Sequence, residues 1–312
     1  MHDEILQQFE IRKSNKEKDR FTEYLTSRLL KAGYNESDIR LQTKGKGIFR
    51  TRNIIVGNPD EAKMIISAHY DTCALSPVPN FMAPTNPFLF LLTQILIVVV
   101  VVLLAGIVSY CSMLLSASPI VGYFSFLGAM ILLLIQLMFG FRNPHAANDN
   151  TSGTITITRI LEALEPEVRN KVCAVYFDNE EKGLLGSDFF ASKHKKAKKH
   201  ILLINFDCVG DGQHLVTMAK KKAKKESHYP LFVDILQKHA VGKDIRYHER
   251  KMLPMMFPSD QIYFRKGIGV CALKRSPLGM YCDRIHTPFD TRCREENIQY
   301  LTESISEYIT RL

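Results

Sequence analysis

The chain has 312 residues, of which 46% are hydrophobic and 23% charged, with a formal net charge of +9. That is enough apolar material for one large domain or two small ones, so composition excludes a disordered chain. Seven cysteines, an odd number with no C-x-x-C pair, argue against a disulfide-stapled secreted fold. Cys173, Cys208 and Cys271 sit in strand-like apolar runs and read as reduced core thiols of a reducing compartment.

From the amino terminus, Phe21 to Leu30 follows an amphipathic helical pattern that ends near Gly33. Asn53 to Val56 and Met64 to Ala68 are extended runs, the second with the composition of a buried strand. No Asp, Glu, Lys or Arg then occurs between Asp71 and Arg142. Within this gap Phe88 to Leu115 and Ile120 to Phe141 each exceed the roughly 20 apolar residues that cross a bilayer, and Ser116 to Pro119 is long enough only for a turn. A buried core hairpin would keep a polar stripe, and Ile95 to Ala105 has none.

The expectation is a two-pass transmembrane hairpin over residues 87–141, with helices at about 88–115 and 120–141, splitting one discontinuous catalytic domain made of residues 1–86 and 142–312. Met1 to Glu4 has neither a basic n-region nor an apolar h-region, so no cleaved signal is expected. Both flanks would then lie on the cytoplasmic side. Gln94 and Gln136, the only carboxamides in the two spans, are expected at one depth and hydrogen-bonded to each other.

Beyond the hairpin a helix is predicted from Thr151 to Leu164, a strand from Lys171 to Phe177, a helix from Gly186 to Lys193 and a strand from Ile201 to Phe206. Alternation continues through Leu215 to Ala219, Leu231 to His239, Ile245 to His248, Asp260 to Arg265 and Val270 to Leu273, and a helix from Glu295 to about Ile309 closes the chain. This is an α/β pattern: a mixed, mostly parallel sheet with helices on both faces, whose sites form at the carboxyl ends of strands. Two lysine runs, Lys193 to Lys199 and Lys220 to Lys225, suit a solvated face or anionic headgroups, at about 1 kcal/mol per well-placed basic residue. Without interleaved aromatic residues, no nucleic acid is expected.

Five predicted strand or helix ends carry chemistry. His69-Tyr70-Asp71 follows the strand Met64 to Ala68, and one of its side chains can bind metal while the other orients it. Asp149 precedes a helix, where a simple cap is the bland alternative. Glu180 and Glu181 are adjacent carboxylates after a strand: one can ligate metal while the other takes a proton from water. Asp207 ends a very apolar run, where an unpaired carboxylate is costly without a cation. His286 lies in Ile285-His286-Thr287-Pro288. Five potential ligands and a base suit two zinc ions sharing a bridging carboxylate.

In this order, H-x-D, then D-N-x-S-G from Asp149, then E-E-x-G-L-x-G-S from Glu180, then a strand-end Asp, then H-T-x-x-D-T from His286, the sequence resembles the aminopeptidase Y and aminopeptidase S family of zinc exopeptidases, the twenty-eighth metallopeptidase family. The likeness covers roughly residues 53–75 and 143–310. It implies a three-layer α/β/α fold and two zinc ions, with cobalt or manganese as alternatives. One metal would be held by His69 and Asp207 and the other by Glu181 and His286. Asp149 would bridge them, Glu180 would act as general base and Asp71 would support His69. A cis peptide is implied between Asp149 and Asn150.

The implied reaction removes the N-terminal residue of a peptide with a free amino group. Asp260 matches a recurring family position near the site, and Met255 and Met256, with Met252 and Phe257, could line an apolar substrate pocket or simply pack in the core. The segments Cys73 to Asn86 and Arg142 to Asn148 are expected to wall the site. A dimeric carboxypeptidase and aminoacylase family with a similar ligand order is excluded, because only about eighty residues separate Asp207 from His286 and leave no room for its lid domain. Two alternatives stay open: a single-zinc glutaminyl cyclase on the same scaffold, and a catalytically inactive membrane scaffold.

Overall fold

A computed structural model describes residues 3–76, 81–252 and 256–312, and among these residues it has ten strands and nine α-helices. In chain order they are α1 (Glu4–Gln8), α2 (Asn15–Lys31), β1 (Ile39–Lys44), β2 (Thr51–Val56), β3 (Met64–His69), β4 (Phe81–Met82), α3 (Pro87–Ser116), α4 (Pro119–Phe139), α5 (Gly153–Ala163) and β5 (Val172–Phe177). There follow α6 (Leu185–Lys193), α7 (Lys195–His200), β6 (Leu202–Phe206), β7 (His214–Ala219), α8 (Tyr229–Ala240), β8 (Arg246–Lys251), β9 (Lys266–Ser276), β10 (Gly279–Asp283) and α9 (Glu295–Arg311).

The strands form one mixed sheet of order β1-β2-β5-β3-β6-β9-β10-β4, with β7 paired to β9 and β8 to β7. Parallel pairing holds its centre, β5-β3-β6-β9, and the β7-β8 pair; the flanks are antiparallel. Every residue of β3, β5 and β6 is buried, which is why these strands are continuous apolar runs with no alternation. Successive side chains of one strand enter different layers. Ile66 and Ala68 join α2, α5, α8 and α9 on one face, and Ile65 joins Phe190, Ala191 and Ala197 of α6 and α7 on the other. The architecture is three-layered, α/β/α.

α2 starts at Asn15, six residues before the predicted Phe21, because its first turn is held by a capping box between Ser14 and Glu17 and not by apolar periodicity. β1 is an edge strand with both faces largely exposed, so its residues show no apolar pattern. The segment Asp260 to Arg265 is only a single 3₁₀ turn, Asp260–Tyr263, entering β9.

α3 and α4 pack side by side and leave most of their large apolar side chains exposed, as candidate membrane spans do. Pro stands in the first turn of each, and Asn86 caps α3 by accepting the Leu89 N–H at 3.1 Å. Close approach is made at Gly122, where an added Cβ would lie 3.0 Å from that of Met113 and where Ser109 Oγ donates to the Gly122 carbonyl at 2.7 Å.

The expected Gln94–Gln136 bond is not formed. α3 has 30 residues and α4 only 21, so counting from the turn, which fixes the register, Gln136 lies about one helical turn closer to it than Gln94 does. Gln136 Nε2 instead donates to the Leu75 carbonyl at 3.3 Å.

The lysine runs lie away from the hairpin. α7 precedes the start of β6, and Lys220 follows the end of β7 with its N–H on the Gly267 carbonyl at 3.1 Å. Both runs therefore occupy the sheet edge opposite the strand ends where α3 and α4 leave the domain. The polarity of the sheet separates them from the hairpin, and the basic groups at the hairpin base are Lys13, Arg142 and Lys182.

Candidate metal centre

Because β5, β3 and β6 are parallel neighbours, their carboxyl ends meet at one edge. β3 ends in His69, β5 runs on to Glu180 and Glu181, and β6 runs on to Asp207. The segment before α5 brings Asp149 across, and the turn after β10 brings His286. Asp149 occupies the middle: its Oδ1 lies 3.2 Å from His69 Nε2 and its Oδ2 lies 3.0 Å from His286 Nε2. Each imidazole has a carboxylate of its own, with His69 Nε2 3.6 Å from Asp207 Oδ1 and His286 Nε2 3.2 Å from Glu181 Oε2.

The ligand atoms of His69, Asp149 and Glu181 lie within 4.8 Å of one another, as do those of His69, Glu180 and Asp207. Glu181 Oε1 is buried without a hydrogen-bond partner. This donor set, oxygen and imidazole nitrogen around a shared carboxylate, fits borderline divalent cations.

Asp71 lies behind His69. Its main-chain oxygen is 3.2 Å and its Oδ1 3.6 Å from His69 Nδ1, and its carboxylate accepts the N–H groups of Glu180 and Glu181 at 3.0 and 3.3 Å. It thus ties β3 to the acidic pair. The Asp149–Asn150 peptide is cis, and Cys208 and His286 adopt positive φ of 56° and 62°.

Burial opposes charge throughout the cluster, and the mutual fields decide what remains. The imidazoles of His69 and His286 are held well above their usual range, since the surrounding carboxylates outweigh desolvation. Desolvation would push the Asp149 carboxyl up, but hydrogen bonds to His286 and His69 hold it well below the usual range. Burial pushes Glu180 and Glu181 up, reinforced for Glu180 by Glu181 and Asp207.

Several supporting residues were not foreseen. Asp290, the aspartate of H-T-x-x-D-T, accepts the N–H groups of Asn148 at 2.9 Å and Asp149 at 3.0 Å, so it sets the loop that presents Asp149. Burial, then the charge of Asp149, pushes its carboxyl up to about 8. Arg12 is fully buried beneath the site, with Nε on the Tyr70 carbonyl at 2.5 Å and an η-nitrogen on Thr151 Oγ1 at 3.1 Å. Lys18 is buried against Asp178 and Asn179, at the root of the Glu180 loop. Cys73 Sγ lies within 4.8 Å of donor atoms of Glu181 and His286, and burial pushes its thiol up. Only Asp290 lay in a motif that the sequence displays.

Asp260 is buried; desolvation, opposed by His69 and by a hydrogen bond from Ser187 and reinforced by Asp207 and Asp71, pushes its carboxyl up to about 7. It is not among the residues lining the cavity over the site. Met256 is buried too and does not line the cavity, whose wall there is Phe257 and Pro258, while Met252 packs with Phe257 in a small apolar core. Met255 lies outside the described residues, as do Pro77 and Pro79 of the expected Cys73 to Asn86 wall. That wall contributes Ser76 and Met82 to the cavity. No residue from Arg142 to Asn148 lines it, because that segment is pinned below by a bridge between Ala74 and Arg142 and by Asn143 Nδ2 on the Thr287 carbonyl at 2.9 Å.

Imidazoles and carboxylates massed at the strand ends of a three-layer α/β/α fold suit a divalent metal centre. Residues 136–308 match the model of peptidase family M28, more than half of the chain, and the chain belongs to that family. Among solved structures it is similar to the LapA aminopeptidase of Legionella pneumophila, with 12% identity, 97% of this chain and 68% of that one covered, and a TM-score of 0.54. It is also similar to the glutaminyl cyclase of Porphyromonas gingivalis, with 16% identity, coverages of 97% and 93%, and a TM-score of 0.57. The glutaminyl cyclase of Fimbriiglobus ruber shows 17% identity, coverages of 98% and 92%, and a TM-score of 0.57. At these identities the likeness is one of fold. No curated protein matches the chain.

Proposed function

We propose that the chain is a membrane-anchored aminopeptidase of the aminopeptidase Y and S kind, which uses two zinc ions to remove N-terminal residues from peptides. The observation that carries this reading is the central position of Asp149, whose two oxygens face two different imidazoles, each with its own carboxylate. His69 and Asp207 would hold one ion, His286 and Glu181 the other, and Asp149 both. Bound there, the ions supply Lewis acidity that polarises the scissile carbonyl and acidifies a water.

Glu180 lines the cavity together with the proposed ligands, where a carboxylate can serve as general base. The water oxygen bonds to the carbonyl carbon as the C–N bond breaks. Glu180 takes a proton from the water and passes it to the departing amine, so one water is consumed and the carboxylate ends as it began. Asp71 holds the Glu180 main chain and the His69 ring in one frame, which fixes the base relative to the reacting carbon.

The test is metal content together with turnover. Protein purified in detergent is expected to carry two metal equivalents, to release fluorophore from aminoacyl substrates, and to lose that activity to a chelator and regain it with zinc. One equivalent with cyclisation of N-terminal glutamine would give the glutaminyl cyclase reading, and none would give the inactive scaffold.

The hairpin reading places α3 and α4 across a bilayer with both halves of the catalytic domain on the cytoplasmic side. A cysteine at Ser118, in a background lacking Cys111, is then expected to react with an impermeant thiol reagent on intact cells. Reaction at Cys293 with Ser118→Cys protected would reverse the topology.

A further inference from the structure

The cavity over the metal centre, about 430 Å³, is closed on one side by the hairpin itself. Phe90, Gln94 and Ile97 of α3, spaced i, i+4 and i+7 on one helix face, line it together with Leu137 and Met138 at the end of α4. We propose that the substrates are membrane-inserted peptides: a free N-terminus reaches the metal centre, and the apolar residues that follow lie against this wall and continue into the bilayer. This rests on the aminopeptidase reading and names its substrate class.

Helix length sets the level of the wall. The 21 residues of α4 span roughly 32 Å, close to the ~30 Å hydrocarbon core, whereas the 30 residues of α3 span roughly 45 Å. The surplus is about two to three turns at the Pro87 end, the turns that carry Phe90 and Gln94 and approach Ile97. These turns emerge between the bilayer and the domain. On their outer side Leu91, Leu92, Ile95 and Leu96 are all at least half exposed, so the partition between cavity and surroundings is one helix thick and apolar on both sides.

The opposite flank of the hairpin base marks the same level. Ile48 and Phe49 are more than 70% exposed between Lys46 and Arg50, and Ile48 shares a hollow with Phe139, Arg142 and Lys182. Lys182 Nζ lies 5.8 Å from the Phe139 ring centre and Lys13 Nζ 3.4 Å from the Met138 carbonyl. Exposed apolar side chains interleaved with basic ones belong at a headgroup boundary.

The wall is also tied to the reaction centre. The Ser76 N–H donates to the His286 carbonyl at 2.9 Å, the Leu75 N–H donates to the Phe141 carbonyl at 2.8 Å, and Gln136 Nε2 donates to the Leu75 carbonyl at 3.3 Å. A two-residue strap thus connects α4 to a proposed ligand. Gln94 is the one hydrogen-bonding side chain among the five wall residues, at the height where a peptide backbone would pass.

The experiment uses the full chain in phosphatidylcholine and phosphatidylglycerol vesicles and two probes, a soluble tripeptide amide and the same tripeptide with a C-terminal dodecyl chain. The tailed probe is expected to have the higher kcat/KM by at least about tenfold, the worth of roughly two buried methylene groups. Partition of the tail into the vesicle raises its local concentration whatever the wall does, so the decisive readout is the tailed-to-untailed ratio in Phe90→Ala and Ile97→Gln. That ratio is expected to fall severalfold, mainly through KM of the tailed probe. Equal kcat/KM for the two probes in the parent protein, or a ratio that both variants leave unmoved, would overturn the proposal while leaving the aminopeptidase reading intact. Cleavage of neither probe would overturn both.

Discussion

Glu180→Gln is expected to lower kcat by roughly two to four orders of magnitude while metal content stays at two per chain. The substitution keeps the shape of the side chain and removes only its capacity to take a proton. The loop that carries it is held independently, by the Asp71 carboxylate on the main-chain N–H groups of both glutamates and by the Glu180 carbonyl receiving the Gly183 and Leu184 N–H groups at 2.9 and 2.8 Å. The site should therefore survive the change. Glu181→Gln is the contrasting variant: its Oε2 faces His286, so it is expected to lose metal as well as activity. Elemental analysis beside steady-state kinetics reads both. Loss of metal in Glu180→Gln with retention in Glu181→Gln would exchange the two roles.

A second large effect is expected at the root of the Glu180 loop. Lys18 and Asp178 form an ion pair with side chains only 3% and 2% exposed, and Lys18 Nζ also donates to Asn179 Oδ1 at 2.8 Å. Breaking a buried pair by removing one partner leaves an uncompensated charge and costs about 3–5 kcal/mol. Lys18→Met should therefore destabilise the protein by that amount, seen as a large fall in the apparent Tm. Burial, then the nearby Asp71 charge, already pushes the Asp178 carboxyl up against the pull of Lys18, so the orphaned carboxylate would be strongly disfavoured. Adding Asp178→Asn removes that charge and keeps an oxygen for the Arg52 N–H, now bonded at 2.8 Å. The double variant is expected to recover part of the loss. A single variant costing under about 1 kcal/mol, or a double variant no better than the single, would contradict this account.

Most of the residues that were legible in the sequence follow runs buried on both faces. His69, Glu180, Glu181 and Asp207 follow β3, β5 and β6, whose composition is unmistakable, and polar side chains at such ends have few bland explanations. Arg12 and Lys18 were not legible as site residues, since their partners lie 58 and 160 positions away and nothing local in the chain marks such pairings; Asp290 lay in a motif, but its bond to the Asp149 N–H, 141 positions away, was not marked there. β1 escaped because an edge strand exposed on both faces needs no apolar alternation. The Gln94–Gln136 pairing failed because depth was counted from the base of the hairpin, whereas the turn sets the register. The lysine runs were read by composition alone, and only the direction of β6 and β7 reveals that they face away from the hairpin.

The placement of β3 bears on the order in which the protein can be made. β3 lies between β5 and β6, and both are encoded after the hairpin. When the ribosome has delivered His69, only the antiparallel β1-β2 pair can form from strands already made, and the other metal-facing residues are still unsynthesised. Both apolar helices must leave the ribosome before Asp149 emerges to meet His69. Assembly of the reaction centre therefore waits until the strands and loops encoded after the hairpin have been made.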